Sequence, residues 1–129
     1  MFNTLKSLEK EYNIPYNTLN DWKKSDSYRR EILEKLDIFL ELKKEAIKKI
    51  KEIFNETELN VLLVAIFQND IETPICFYSL QECIEEALLY SDADIKIIEI
   101  IKLKLKELCN FQFYILTELS LEFFRQEEN

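Results

Sequence analysis

The chain is 129 residues long with a net charge of -8, and it contains no glycine, no histidine and only two prolines. A β protein of this size needs glycine at hairpin turns and bulges, so an all-α fold is predicted. Without histidine the commonest general acid/base and metal ligand is missing, so the reading is of a non-enzymatic protein with no catalytic residues, no cofactor and no metal site.

The charge is unevenly distributed. Residues 1–51 carry 12 Lys/Arg against 9 Asp/Glu, while residues 52–129 carry 5 against 16. The resulting balances are +3 and -11, an asymmetry that suggests two tasks, with the basic half able to approach phosphates. Two domains are therefore expected, residues 1–51 and residues 54–129. Cys76, Cys83 and Cys109 form no CxxC pair, and their odd number, with no secretion signal at Met1-Phe2-Asn3-Thr4, points to reduced thiols and a cytoplasmic location. No stretch approaches the ~20 apolar residues of a membrane span.

In chain order, Asn3 or Thr4 can cap a first helix with apolar positions Leu5, Leu8 and Tyr12. Asn13 falls where that helix stops, and asparagine is the best substitute for glycine in a left-handed helix end. Ile14 then packs inward and Pro15 fits the first position of a second helix, where its missing N–H is harmless. That helix runs to about Lys24, with Leu19 and Trp22 inward and Tyr16, Asn17, Asn20, Lys23 and Lys24 on or near the outer side. Ser25-Asp26-Ser27 is a cap cluster. From about Asp26 a long helix reaches Ile53, with Ile32, Leu33, Leu36, Phe39, Leu40, Leu42, Ala46, Ile47 and Ile50 at helical spacing. Its length exceeds what a three-helix head covers, so its later half must pack on the C-terminal half or on the same helix of a second subunit. Lys43, Lys44, Lys48, Lys49 and Lys51 are placed on its polar side.

The acidic half opens with a capping box, Asn55-Glu56-Thr57-Glu58, before Leu59, Leu62, Leu63, Ile66 and Phe67. A loop from Gln68 to Ile75 contains Pro74. Ser79-Leu80-Gln81-Glu82 is a second box, Ser91-Asp92-Ala93-Asp94 caps the next helix, and Asn110 precedes a last helix to about Phe124. Four such helices form a bundle-like module. The neighbours Phe123 and Phe124 can hardly both enter one small core, so one is expected at an interface.

The run Tyr12-Asn13-Ile14-Pro15-Tyr16-Asn17-Thr18-Leu19-Asn20-Asp21-Trp22-Lys23-Lys24 resembles the helix-turn-helix of insertion-sequence transposase small subunits and related phage regulators. Their pattern is roughly Tyr-Gly-Ile/Val-Ser/Pro-x-x-Thr-Leu-x-x-Trp, and the resemblance spans residues 4–36. It implies a head that reads DNA, with Tyr16, Asn17, Asn20 and Lys23 at recognition positions; Lys24 extends that side. Asn13 stands for the family's turn glycine, and Glu9 for the small residue that lets the two helices approach. The second half faintly resembles small phage and mobile-element helical proteins, at Ala65-Ile66-Phe67-Gln68-Asn69-Asp70 and Asn110-Phe111-Gln112-Phe113.

The expected architecture is thus a helix-turn-helix head, a long connecting helix and a C-terminal four-helix module. The expected function is a DNA-binding regulator of phage or mobile-element type, acting as a homodimer. Residues 54–129 would serve dimerisation or a protein partner. The alternative is an interaction module, in which the acidic half docks on a basic protein surface as an inhibitor or antitoxin-like factor would.

Overall fold

A computed structural model describes residues 1–69 and 80–128 of the chain. It is all-α: seven helices and no strand among the described residues. They are α1 (Leu5–Tyr12), α2 (Tyr16–Lys24), α3 (Tyr28–Ile53), α4 (Glu56–Gln68), α5 (Leu80–Leu89), α6 (Ile95–Leu105) and α7 (Asn110–Glu128). The predicted box at Ser79 and the loop around Pro74 lie outside the described residues, as does Cys76. No described helix is long and apolar enough to cross a membrane.

The chain forms two compact units, Met1–Glu45 and Ala46–Asn129, and α3 runs unbroken through the boundary. In the first unit Leu5, Leu8, Leu19, Leu33 and Leu40 form a buried cluster from α1, α2 and α3, edged by Tyr12, Ile14 and Trp22. Its N-terminal strand of chain is tied down by a buried carboxylate. Asp37 on α3 accepts the Phe2 and Asn3 backbone N–H groups, both at 2.8 Å, and the Asn3 side-chain amide at 3.0 Å. Asn3 is thereby spent on α3, and Thr4 alone caps α1, its hydroxyl accepting the Ser7 N–H. Lys43 is not on a solvated side as its neighbours suggest. It is buried, with its ammonium 2.7 Å from Glu11.

The second unit builds its core from Ile50 and Phe54, Leu62 and Ile66 of α4, Ile84 and Leu88 of α5, Ile101 and Leu105 of α6, and Phe113, Ile115 and Leu116 of α7. The Asn55 box forms as read: Asn55 Oδ1 accepts the Glu58 N–H at 2.8 Å and Glu58 accepts the Asn55 N–H at 3.0 Å. Glu58 is buried and also receives Lys104 from α6 at 2.6 Å. On α7, Ser120 donates to the Leu63 carbonyl at 2.8 Å, so this buried hydroxyl links α7 to α4. Phe123 packs on the core, while Phe124 stacks on Phe67 with ring centroids 3.9 Å apart. The adjacent phenylalanines thus diverge, one onto the core and one onto the partly exposed Phe67, while their own rings meet edge to face at 5.2 Å. On α6, Ile95 (69% exposed) and Leu103 (64%) face outward.

Two carboxyls titrate below their ordinary values. Burial pushes Asp37 up, but the Phe2 N–H, the Asn3 amide and N–H and the N-terminal ammonium outweigh it and hold it below 3.8. The Lys104 hydrogen bond holds Glu58 below 4.5, against burial and with help from the Asn55 N–H and the lysine's charge. A carboxyl with a depressed folded-state pKa stabilises the fold above its unfolded value and loses that contribution as pH falls through the folded one. Stability should therefore be level with respect to these groups above about pH 5 and fall below about pH 4. Thermal unfolding between pH 3 and 7 measures this, and Asp37→Asn should flatten the acid limb.

Candidate nucleic-acid interface

The candidate interface is built on the turn between α1 and α2. Asn13 adopts φ 55°, ψ 40°, the left-handed region, and is the one described residue with positive φ. Its N–H donates to the Glu9 carbonyl at 2.8 Å, which closes α1 and reverses the chain. Glycine reaches this conformation without a Cβ penalty. Asn13→Gly should therefore leave stability unchanged or raise it by a few tenths of a kcal/mol, whereas Asn13→Val should cost about 1–2 kcal/mol, as measured by chemical denaturation.

Pro15 is the N-cap of α2, one position ahead of the helical start that its missing N–H suggests, and it supplies no side-chain cap. The cap comes from Glu9. Its carboxylate accepts the Tyr16 backbone N–H at 2.5 Å, across the turn. A carboxylate against a helix N-terminus satisfies a free donor and meets the positive end of the helix dipole. Glu9 thus clasps α2 where a small residue would let the helices approach more closely. The sequence signal for it was available: a proline-led helix with no Ser, Thr, Asp or Asn cap, and a carboxylate one turn behind the bend.

Below α2, Leu19 is fully buried and Trp22 is half-buried against the same cluster. The Tyr12 hydroxyl donates to the Leu36 carbonyl at 2.9 Å, fastening the end of α1 to α3. With about 100° between successive residues, Asn17, Asn20 and Lys24 fall within about 60° of one another, opposite Trp22. Tyr16 and Lys23 lie along the edge nearer Leu19, and Asp21 along the other. Asn17, Lys23 and Lys24 are exposed, Tyr16 is 41% exposed and Asn20 is half-buried. All five predicted residues therefore share one outer side of α2, with the two asparagines and Lys24 at its centre. No carboxylate pairs with Lys23 or Lys24 among the described residues.

The electrostatics are local. Met1–Glu45 holds nine Lys/Arg and nine Asp/Glu, because the remaining basic residues of α3 belong to the second unit. Several of those carboxylates are engaged inside the unit, namely Asp37 at the N-terminal segment, Glu11 at Lys43 and Glu9 at Tyr16. The unit's overall charge therefore supplies no attraction for phosphate, and on the outer side of α2 the cations are Lys23 and Lys24.

No three His, Cys, Asp or Glu side chains converge as a metal site among the described residues. No protein-family model matches the chain, and neither a curated protein nor a solved structure matches it.

Proposed function

We propose that this chain is a small DNA-binding regulator of the phage or mobile-element kind, with α2 entering the major groove. Asn17 and Asn20 would pair with adenine edges, and Lys23 and Lys24 would reach guanine or phosphate. The observation that carries this reading is the solvent side of α2. It gathers Asn17, Asn20 and Lys24 over a helix that is anchored from beneath by Leu19 and fixed at its start by Glu9. Because the first unit is neutral overall, binding is weak in one copy and steeply dependent on salt. Fluorescence anisotropy of the full chain with pooled genomic fragments tests the proposal. Retention is expected at about 50 mM salt and loss by about 200 mM; no retention at the lower salt overturns it.

A second reading is favoured by the other unit, in which sixteen carboxylates face eight cations and Leu89, Tyr90, Ile95 and Leu103 are each more than 60% exposed. Such a surface suits a basic protein partner, which it would engage in the manner of an inhibitor. Salt-sensitive capture of a basic protein, undiminished when Asn17 and Asn20 are replaced, supports this reading over the first.

A further inference from the structure

The first turn of α3 stands clear of the core that the rest of the helix covers. Tyr28, Arg29, Arg30, Glu31 and Ile32 are all exposed, and the first buried residue of α3 is Leu33. With about 100° between successive residues, Arg29 lies about 40° from Leu33 and about 20° from Leu40 around the helix axis. It therefore extends the side of α3 that packs with α1 and α2, beyond the level where that packing ends. An apolar residue would belong on this line if its task were to close the core. A guanidinium held in water has another task.

The turn is braced by its own neighbours. Ser27 Oγ accepts the Arg29 N–H at 3.3 Å, and the Ser27 carbonyl accepts the Arg30 N–H at 3.1 Å. The Arg30 guanidinium lies 3.5 Å from Glu34 and 4.0 Å from Asp26, so its charge is engaged along the helix. Arg29 has no carboxylate partner among the described residues. Glu31 is about 160° from it around α3, on the far side.

The positive charge of the first unit is gathered beside this turn. Residues 23–30 carry four Lys/Arg against one Asp, whereas the other residues of Met1–Glu45 carry five against eight. Only Ser25, Asp26 and Ser27 separate α2 from α3, and the four Cα steps from Lys24 to Tyr28 reach at most about 14 Å. The major groove is about 12 Å wide, so a backbone strand runs within that reach of a helix seated in it.

We infer that Arg29 is a DNA phosphate contact: with α2 in the groove, its guanidinium takes a phosphate of the bordering strand and fixes how α2 sits. The inference rests on the reading that the first unit binds DNA, and it adds a contact that α2 does not supply. The planar fork of arginine meets a phosphate through two N–H groups, where lysine offers a point charge. A contact of this kind positions the protein and carries no sequence information. Arg29 should therefore act on all sequences alike, while Asn17 and Asn20 carry the preference.

Anisotropy of the full chain with two duplexes of equal length, one from the retained genomic pool and one arbitrary, tests it from about 50 to about 200 mM salt. Arg29→Gln should weaken both duplexes about tenfold at the lower salt and reduce the salt slope by about one. The ratio of the two affinities and the urea midpoint of the tryptophan emission should stay at the parent's values. Arg29→Lys should restore the slope and most of the affinity. Lys35→Gln removes the same charge from α3 about 120° away, and should shift affinity by less than about twofold. An unchanged slope in Arg29→Gln, an equal loss in Lys35→Gln, or a changed ratio between the duplexes overturns the inference and leaves the DNA reading standing. No binding by the parent chain overturns both.

Discussion

Leu19→Ala should lower the stability of the N-terminal unit by about 2–5 kcal/mol, the range for emptying a fully buried leucine site. Leu19 has no exposed surface and meets Leu5, Leu8, Leu33 and Leu40 in a cluster of only five buried residues. So small a cluster has few neighbours able to relax into the cavity, which places the cost toward the upper end of that range. Trp22 is the chain's one tryptophan and lies against this cluster, so its emission reports this unit selectively. In urea the tryptophan transition should move down by 1 M or more, given slopes of about 1–3 kcal/mol per molar for small proteins. Leu89→Ala, at a position 63% exposed in the other unit, should leave that transition within about 0.5 kcal/mol of the parent. An unmoved tryptophan midpoint in Leu19→Ala would mean that α2 is not held from beneath, and its outer side could not be a fixed reading surface.

Replacing both Asn17 and Asn20 by alanine should remove preferential DNA binding, with a loss of 100-fold or more at a preferred site. Each base contact of this type contributes about 1–3 kcal/mol of discrimination. Binding to arbitrary sequence should persist, because asparagine adds no charge. Lys23→Ala and Lys24→Ala should act differently, weakening all sequences together and reducing the salt slope by about one each. Asp21→Asn should strengthen binding, since Asp21 is an exposed carboxylate at the edge of the same side and repels phosphate. Lys102→Ala, on α6, is the control and should change nothing. Equal losses from the asparagine and lysine variants, without any change in salt slope, would point to a collapsed helix in place of lost contacts.

The sequence was most informative where causes are local. The absence of glycine, the cap at Asn55, the asparagine at position 13, the 3-4 spacing of Leu5, Leu8 and Tyr12 and the i, i+3 pair Leu19 and Trp22 are each read from neighbours a few residues away. The helices, the left-handed turn and the buried side of α2 follow from them. The boundary inside α3 was not legible, because a helix that passes from one core to another keeps a continuous apolar periodicity throughout.

Side chains whose partners are distant in sequence were misread or passed over for the same reason. Lys43 resembles any solvated lysine until folding brings Glu11 beside it, 32 residues away. Asp37 resembles a surface carboxylate until the N-terminal segment, 34 and 35 residues away, places its N–H groups on it. Glu9 reads as an obstacle to close packing and becomes the cap of the next helix. Helical periodicity likewise names Ile32 and Leu42 as inward, and only the packing available within the unit leaves them outside. Local chemistry alone determined that this chain is a set of helices and, to within a few residues, where the described ones begin and end. Which polar groups are buried, and which apolar ones are left to meet another molecule, was decided by tertiary packing, because burial depends on what the fold brings near and not on what precedes it in the chain.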